Sequence, residues 1–211
     1  MKFAVIPAAG KSNRMGRPKL ALPLGDRTIL EHVLAVLRQA KVEHLLVVIG
    51  PHVAELAPLA ESAGAYVCSL AEPSTGMRST VEQGLRWLEE RLGPSPEDSW
   101  LLVPADHPVL DASVVQQLES AYLAHPQFSI VLPTYLGRRG HPTLFAWKHV
   151  AAIYAWPAEL GLNTYVRQHA AQTLEVPVDH AGVLWDIDTP EDYQQLRQNW
   201  SQWSKDLAKR P

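Results

Sequence analysis

The sequence predicts an α/β fold built around a mostly parallel β-sheet. Short, continuous apolar runs of strand length alternate with longer segments in which apolar residues recur at helical spacing. The runs "FAVIP" and "HLLVVIG" show no polar alternation, which is typical of strands that are covered by helices on both faces. Because alternating strands and helices connect through right-handed crossovers, we predict a three-layer sandwich with the sheet in the middle.

The regular part of this alternation ends near residue 135. The predicted strands cover residues 3–7, 44–50, 65–70, 100–108 and 128–135. The predicted helices cover residues 28–40, 52–64, 77–93 and 111–125. Pro58 weakens the second helix because it lacks a backbone donor. Asp111 or Ser113 is the expected N-cap of the fourth helix.

The C-terminal third is less regular. "GRRGHPTLFAW" predicts a hairpin or an excursion from the sheet, and "LEVPVDH" and "VLWDID" are short strand candidates. "TPEDYQQLRQNW" predicts a closing helix with Thr189 as its N-cap and a proline at its first position. The residues after it are polar and are expected to fray. We therefore predict one domain over residues 1–199 and a polar tail over residues 200–211.

The composition is that of an ordinary globular protein. With 211 residues, 46% of them hydrophobic and 19% charged, the chain is long enough for one sizeable core. A net charge of -3 predicts no nucleic-acid partner. No apolar run reaches the ~18 residues of a membrane span and the N-terminus lacks a signal peptide, so we expect a cytoplasmic protein without membrane contact. The single cysteine, Cys68, excludes an internal disulfide.

A basic, glycine-containing loop, "AAGKSNRMGRPK", follows the first predicted strand. It is neither a Walker A motif nor G-x-G-x-x-G, because five residues separate Gly10 from Gly16 and Arg-Pro-Lys follows. The two glycines let backbone N–H groups approach an anion closely. Three cations are spaced along the loop: Lys11, Arg14 and Lys19. Doubly wound sheets bind ligands at the carboxyl ends of their strands, so the loop is predicted to hold phosphate; a solvated basic loop is the alternative.

Two aspartates from distant parts of the chain also follow predicted strands. Asp106 comes after "WLLV" and Asp188 after "VLW". Two carboxylates that face a triphosphate form a natural Mg²⁺ site, because Mg²⁺ prefers oxygen ligands and bridges substrate phosphates. Asp186 is close enough in sequence to compete with Asp188 for this role. The alternatives are a turn cap for Asp106 and a helix start for Asp188.

The loop and four later segments resemble the MobA-like nucleotidyltransferases, and among them the molybdenum cofactor cytidylyltransferases. "PAAGKSNRMGRPKLALPLGDRTILEHVL" is similar to the family's L-A-A/G-G-x-S-x-R-M-G-x-P-K loop. "GMRSTVEQGL", "PADHPVL", "PTYLGRRGHPTLF" and "WDIDTPEDYQQL" are similar to its later motifs. The resemblance extends from residue 4 to about residue 196.

The resemblance implies a Rossmann-like fold of the nucleotide-diphospho-sugar transferase type. It also implies transfer of CMP from CTP to the phosphate of a molybdopterin-type cofactor, with release of pyrophosphate. Arg14, Lys19 and Asp106 would be catalytic, and Asp106 and Asp188 would hold Mg²⁺, with Asp186 behind them. No protein nucleophile is needed, because the phosphate of the acceptor attacks the α-phosphorus. A molybdoenzyme or its chaperone is a candidate protein partner.

The same resemblance divides the remaining site residues between nucleotide and acceptor. The nucleotide would be bound by Ala8, Ala9, Gly10, Lys11, Arg14, Lys19, Gly76, Ser79 and Thr80. The acceptor would be bound by Arg138, Arg139, Gly140 and His141. Ala9 points to CTP rather than GTP, because Ala-Ala-Gly accompanies CTP in the resembling families and the methyl group would crowd a purine. A plain helix N-terminus at Gly76 and a hairpin with exposed arginines at Arg138 are the alternatives.

The sequence departs from the family at two points. His107 stands where glutamine is usual, and "ELGLNTYVRQ" stands where G-D-x-G-A-R is usual. Both departures concern the acceptor side of the site. Three alternatives therefore stay open. The acceptor is a sugar phosphate or an alcohol phosphate, the nucleotide is GTP, or the protein is a non-catalytic nucleotide- or cofactor-binding module.

Overall fold

A mostly parallel sheet lies between two layers of helices, as the sequence predicts. The computed structural model describes residues 1–16 and 18–208. Within this part of the chain the main sheet has eight strands, with the order β10-β7-β9-β6-β1-β4-β5 and β8 paired to β7. Its pairs are parallel except for those that β9 makes with β6 and β7 and the β7–β8 hairpin. The fold class is therefore confirmed.

The elements have the following bounds. The strands are β1 Lys2–Pro7, β2 Pro23–Leu24, β3 Arg27–Thr28, β4 His44–Ile49, β5 Tyr66–Ser69, β6 Ser99–Leu102, β7 Ile130–Tyr135, β8 Arg138–Arg139, β9 Thr143–Ala146 and β10 Thr173–Pro177. The α-helices are α1 Ile29–Gln39, α2 Leu56–Ser62, α3 Met77–Leu92, α4 Ala112–Ala124, α5 Val150–Tyr154, α6 Leu162–Gln168 and α7 Pro190–Ala208. β2 and β3 form a separate small hairpin.

The core consists of two apolar layers, one on each face of the sheet. In β1, Ala4 and Ile6 join the layer that contains α1, whereas Phe3 and Val5 join the layer that contains α3. This alternation follows from the period of two residues in a strand. Gly84 lets α3 lie close to the sheet, because a Cβ there would meet Val48 and Val5 side-chain atoms.

Local sequence chemistry sets several helix ends. Thr28 and Glu31 form a capping box at the start of α1, and Asp111 caps α4 by accepting from the Ser113 amide. Gly93 ends α3 in the left-handed conformation with φ 56°. These three features account for helix boundaries that lie close to the predicted ones.

The second predicted helix is shorter than expected. A 3₁₀ turn covers Pro51–Val53 and α2 begins only at Leu56. Pro58 therefore lies in the first turn of α2, where its missing N–H removes no intrahelical bond. The proline sets the start of the helix instead of disrupting its middle.

The segment "GRRGHPTLFAW" contains both a hairpin and a central strand. Leu136 and Gly137 have positive φ (49° and 74°) at the tight turn between β7 and β8. The chain then enters the sheet as β9, which pairs antiparallel with β6 and β7. The hairpin was predicted, but the insertion of β9 into the middle of the sheet was not.

The prediction of a strand over residues 183–188 is wrong. A 3₁₀ turn covers Ala181–Leu184 and the residues after it are irregular. The Ile187 amide donates to the Asp106 carbonyl oxygen (3.1 Å) instead of joining a strand ladder. This backbone bond brings the segment that carries Asp188 beside the loop that follows β6.

The expectation of a fraying polar tail is also wrong for the described residues. Helix α7 continues to Ala208, and Trp200 and Trp203 pack against the core. The ring centroids of Trp200 and His32 lie 4.4 Å apart, and those of Trp203 and Trp185 lie 6.2 Å apart. Two tryptophans in a polar stretch were the signal for this packing. Residues 209–211 of the predicted tail lie outside the described residues.

None of the helices that the structure describes is long and apolar enough to cross a membrane.

Candidate active site

The basic loop begins directly at the carboxyl end of β1. The Ala8 amide donates to the Val48 carbonyl oxygen (2.8 Å), which ties the start of the loop to β4. Met15 is buried and joins the core, so it anchors the middle of the loop. The Lys19 amide donates to the Ser12 hydroxyl (3.3 Å) across the loop. The loop is thus fixed at three points while its cations remain on one side.

A cavity of about 450 Å³ lies above this loop. Its lining contains most of the residues that were predicted to bind nucleotide and metal, namely Ala8, Ala9, Gly10, Lys11, Arg14, Lys19, Gly76, Thr80, Asp106 and Asp188. Gly10 lies in this wall, and a Cβ on it would meet no atom of the described residues within 4 Å. Packing among these residues therefore does not require glycine at this position, which is consistent with close approach by a ligand.

Lys19 lies at the centre of the acidic residues. Its ammonium donates to Asp106 Oδ2 (2.7 Å), to the Ile187 carbonyl oxygen (2.5 Å) and to Asp188 Oδ1 (3.4 Å). The carboxylates of the two aspartates thus bind the same ammonium group, although 82 positions separate them in the sequence. Arg14 Nη1 also donates to Asp188 Oδ2 (2.9 Å), from an exposed position.

Asp186 is exposed and lies near this cluster. Desolvation raises the pKa of its carboxyl, and the neighbouring charges of Asp106 and Asp188 raise it further. Asp188 lines the cavity and accepts from Lys19 and Arg14, whereas Asp186 is not among the described lining residues. These contacts place Asp188, rather than Asp186, beside Asp106 at the cavity.

Thr189 starts helix α7 as predicted, and this start fixes Asp188. Its hydroxyl accepts from the Asp192 amide (3.2 Å). The Asp192 carboxylate in turn accepts from the amides of Asp188 (3.0 Å) and Thr189 (2.8 Å). The predicted helix start is therefore confirmed, and the metal role of the neighbouring Asp188 stays a prediction.

The turn before α3 forms another wall of the cavity. Ser74, Thr75, Gly76 and Met77 line it together with Thr80, whereas Ser79 is not among the lining residues. Thr80 Oγ1 donates to Ser74 Oγ (2.7 Å), so its hydroxyl supports the turn. Sequence reasoning missed Ser74 and Thr75. Their signal was the pair of small hydroxyl residues immediately before the glycine.

A second cavity, of about 360 Å³, adjoins the first at Met77, which lines both. Gly140 and His141 from the predicted acceptor loop lie in its wall, together with residues 161–163 and 166–167 from the divergent segment. The two segments that were predicted to contact the acceptor are thus brought together. Gly140 is required here by packing, because a Cβ would lie 2.4 Å from the Val183 carbonyl oxygen.

The two predicted acceptor arginines are placed differently. Arg139 lines the second cavity, but its guanidinium makes two contacts with Glu175 Oε1, from Nε (2.9 Å) and Nη2 (2.7 Å). Arg138 is exposed and is not among the lining residues. The structure adds Arg78 and Arg167 to this wall, and sequence reasoning assigned neither to the site.

Two histidines contact each other near the site: His107, which is buried, and His141, which lines the second cavity. The rings of His107 and His141 meet edge to face with centroids 5.4 Å apart, and His107 Nε2 lies 3.9 Å from Asp106 Oδ1. Burial lowers the pKa of both, that of His141 to about 4, so His141 is neutral at pH 7. Neither Nδ1 atom has a hydrogen-bond partner within the part of the chain that the structure describes.

The oxygen atoms around Lys19 form a donor set that suits a hard divalent cation. Two carboxylate oxygens and a backbone carbonyl oxygen already converge on one positive charge, the Lys19 ammonium. Among the described residues no group of three or more Asp, Glu, His or Cys side chains forms a complete metal site. An ion here would take its remaining ligands from water and substrate phosphates, which is the usual coordination of Mg²⁺ in proteins.

The family model for the MobA-like NTP transferase domain matches residues 4–173. The chain belongs to this family. The match covers the basic loop, Asp106 and the β7–β9 region, so the resemblance noted in the sequence is confirmed. The coarse activity that follows is nucleotidyl transfer, in which a nucleoside triphosphate and an acceptor are the substrates.

Three curated relatives are named for different roles. Purine catabolism protein PucB of Bacillus subtilis is 30% identical over 94% of this chain and 97% of its own length. The molybdenum cofactor guanylyltransferase of Rhizobium meliloti is 29% identical over 91% and 88%. The 2-C-methyl-D-erythritol 4-phosphate cytidylyltransferase of Tolumonas auensis is 32% identical over 89% and 69%. The names of the Rhizobium and Tolumonas relatives differ in nucleotide and acceptor, and the name of PucB gives neither.

A solved structure of similar fold contains a divalent cation. Rv0371c from Mycobacterium tuberculosis H37Rv, in complex with manganese, is 25% identical to this chain. It superposes with a TM-score of 0.70 and covers 93% of this chain and 97% of the other.

Proposed function

We propose that this MobA-like nucleotidyltransferase transfers CMP from CTP to the phosphate of a molybdopterin-type cofactor and releases pyrophosphate. The observation that carries the proposal is the pair of adjoining cavities. One is lined by the basic loop and both aspartates, and the other is lined by arginines and apolar side chains. Two substrates held in adjacent cavities can react at the junction, which is the positional requirement of a group transfer between them.

The first cavity suits a nucleoside triphosphate. Lys11, Arg14 and Lys19 supply positive charge on one side of it, and the N-terminal turn of α3 supplies backbone donors on another. Gly10 leaves room for phosphate to approach the backbone. In this proposal the cations bind the triphosphate and neutralise charge on the departing pyrophosphate.

Mg²⁺ is the proposed cofactor, held by Asp106 and Asp188. When bound, Mg²⁺ neutralises the charge that develops on the transferred nucleotidyl group and on pyrophosphate. The manganese complex of Rv0371c supports a divalent cation in this fold. Lys19 is the residue that must redistribute its bonds, because its ammonium donates to both aspartates and also lines the nucleotide cavity.

The protein contributes positioning and electrostatics to the reaction. The acceptor phosphate is already an anionic nucleophile, so no side chain has to remove a proton from it. A phosphate oxygen forms a bond to the α-phosphorus, and the bond from the α-phosphorus to the bridging oxygen of pyrophosphate breaks. His141, which is neutral at pH 7, lines the second cavity and adds no charge to its wall.

The second cavity suits an anionic acceptor with a flat apolar body. Leu102, Leu132, Phe145, Leu162 and Val166 give it apolar walls. Its described lining residues include arginines and no carboxylate, so its electrostatic potential favours an anion. A pterin phosphate has both properties. The name of the Rhizobium relative also concerns the molybdenum cofactor.

CTP is the proposed nucleotide on the basis of Ala9, whose buried side chain lines the first cavity. Its methyl group would reduce the room for a purine base. The Tolumonas relative is named a cytidylyltransferase and the Rhizobium relative a guanylyltransferase, so GTP is the nucleotide that the test must compare with CTP.

The test measures pyrophosphate release with each of CTP, GTP, UTP and ATP, combined with molybdopterin, a sugar phosphate and an alcohol phosphate. We expect release with CTP and molybdopterin, and a lower CTP preference in Ala9→Gly.

Asp106→Asn should lower turnover about 100- to 1,000-fold while nucleotide binding falls far less. No release with any pair would favour a non-catalytic binding module, and release only with another acceptor would replace molybdopterin in the proposal.

A further inference from the structure

Three arginines line the second cavity, and the structure uses each of them differently. Arg78, Arg139 and Arg167 lie in its wall, and no Asp or Glu is among the described lining residues. An arginine can bind a ligand strongly only when some of its five N–H donors are free of other partners. The hydrogen bonds of the three guanidinium groups therefore indicate which of them is available to the acceptor.

Arg78 is fully engaged within the protein. Its side chain is only 12% exposed, and its Nε donates to Glu82 Oε1 (2.7 Å). The other four bonds go to backbone carbonyl oxygens of Ile153, Trp156, Pro157 and Leu160. These carbonyls extend from the last turn of α5 to the residue before Gly161, the N-cap of α6. Arg78 thus attaches the segment before α6 to the first turn of α3.

Arg139 is engaged at the edge of the sheet. Arg139 lies on β8 and Glu175 lies on β10, and both strands pair with β7. The Nε and Nη2 atoms of Arg139 both contact Glu175 Oε1. Because this ion pair is more than a third exposed, it adds little stability. It nevertheless balances the charge of the guanidinium and occupies two of its donors. An anion in the cavity would have to compete with Glu175 for Arg139.

Arg167 has no such engagement. The described part of the chain gives its exposed guanidinium no hydrogen bond and no ion pair. Asn163 lies four residues earlier in α6, on the same helix face, and lines the same cavity. The free cation and a side-chain amide therefore stand side by side on the cavity wall.

We propose that Arg167 binds an anionic group of the acceptor, and that Arg78 is a positioning residue that holds the wall carrying Arg167. The proposal rests on the proposed function for the identity of the acceptor. It replaces Arg138 and Arg139 by Arg167 as the cation that receives the acceptor. The chemical class of the ligand is a phosphate or another oxyanion attached to an apolar body.

The test is modification of the wild-type protein by phenylglyoxal, with the extent at each arginine measured by peptide mass spectrometry. Phenylglyoxal reacts with accessible, uncommitted guanidinium groups. Inorganic phosphate is the probe, chloride at equal ionic strength is its control, and exposed Arg91 is the internal reference. We expect Arg167 to react much faster than Arg78, and phosphate to slow Arg167 several-fold relative to Arg91.

The proposal is overturned if Arg167 reacts no faster than Arg78, if phosphate slows Arg139 instead, or if phosphate slows none of the three relative to Arg91. None of these outcomes requires turnover. If the protein transfers no nucleotidyl group to any acceptor, the proposed function fails while the modification result still decides the role of Arg167.

Variants then separate binding from positioning. Arg167→Met should raise the KM for the acceptor about 10- to 100-fold, with an unchanged KM for the nucleotide and partial recovery in Arg167→Lys.

Arg78→Met should raise the same KM and also speed amide hydrogen exchange in residues 153–160. Arg86→Met is the matched control, because Arg86 lies in the same helix and stacks on the Tyr154 ring (4.2 Å). Unchanged exchange in Arg78→Met would contradict its positioning role.

Discussion

Gly10 and Gly140 are glycines for different physical reasons. A Cβ at Gly140 would lie 2.4 Å from a backbone oxygen of Val183, so the fold itself excludes a side chain there. A Cβ at Gly10 would meet no atom of the described residues within 4 Å, although the residue lines the first cavity. Gly140 is therefore explained by packing, whereas Gly10 is consistent with space that a ligand would occupy.

This difference predicts that Gly10→Ala separates binding from stability. The free energy of unfolding should change by no more than about 0.5 kcal/mol, because no contact is lost and none is made. Affinity for nucleoside triphosphate should fall, because the added methyl group enters the space of the phosphates. Chemical denaturation and equilibrium nucleotide binding measure the two effects. Unchanged nucleotide affinity would contradict the placement of the triphosphate beside Gly10.

At the scale of elements, the loop between β8 and β9 connects the second cavity to the sheet. The Gly140 amide donates to the Pro133 carbonyl oxygen (2.9 Å), and the His141 amide donates to the Val183 carbonyl oxygen (2.8 Å). These bonds hold the loop against β7 on one side and against the 3₁₀ turn at residues 181–184 on the other. The position of His141 in the cavity wall follows from them.

Gly140→Ala should therefore destabilise the protein. The methyl group can be accommodated only if the loop and Val183 move apart, which typically costs about 1–3 kcal/mol. The same movement should weaken acceptor binding more than nucleotide binding. Denaturant unfolding checks the first effect, with Gly10→Ala as the control, and separate KM values check the second. Equal stability of the two alanine variants would show that the Gly140 packing does not matter.

Helix α7 is the second element whose role follows from packing. Trp200 is half-buried against His32 and the β2–β3 hairpin, where it also fills the space beside Gly25. Trp200→Ala should lower the free energy of unfolding by about 1–3 kcal/mol, because much of an aromatic ring loses its apolar contacts. Gln198→Ala, at an exposed position of the same helix, is the control. A loss no larger than that of the control would restore the view of residues 200–208 as an unpacked tail.

For the whole molecule, stability should fall as the pH decreases from about 6.5 to about 4. His149 is buried between Tyr165 Oη (2.7 Å) and Ser129 Oγ (2.8 Å), and burial lowers its pKa to about 4. Between these pH values the unfolded chain binds a proton at His149 that the folded protein does not bind, so acid favours unfolding. His141, whose pKa is also lowered to about 4, acts in the same direction.

Urea unfolding across this pH range measures the effect. His149→Gln should make the dependence on pH shallower, because one of the buried histidines with a lowered pKa no longer titrates. A dependence as steep in His149→Gln as in the wild-type protein would show that His149 does not contribute to it.

The sequence was sufficient for most elements of the alternating first 135 residues and for most of the residues that line the first cavity. Apolar periodicity depends on local spacing, and the loop and Asp106 directly follow strands, so both could be located without tertiary information. The region after residue 135 was harder. β9 has the apolar composition of any buried strand, and nothing local indicates that it inserts antiparallel between β6 and β7.

The acceptor side could be predicted only as a region. Residues of "GRRGHP" and "ELGLNTYVRQ" line one cavity, although the acceptor role predicted for them stays a prediction, and the sequence could not show which arginine is free. Arg139 pairs with Glu175 across the sheet edge, and Arg78 binds carbonyls 75 or more positions away. These hydrogen bonds and ion pairs depend on tertiary contacts. They therefore show which of the three arginines is already bound within the protein only once the fold is known.

The measurement that tests the central claim most directly follows the α-phosphate of CTP. With α-labelled CTP, molybdopterin and Mg²⁺, the label should appear in a cytidine dinucleotide of the cofactor, with one pyrophosphate released for each molecule formed. Asp106→Asn should form almost none. Label that stays in CTP, or appears only as free CMP in the presence of molybdopterin, would contradict nucleotidyl transfer to this acceptor.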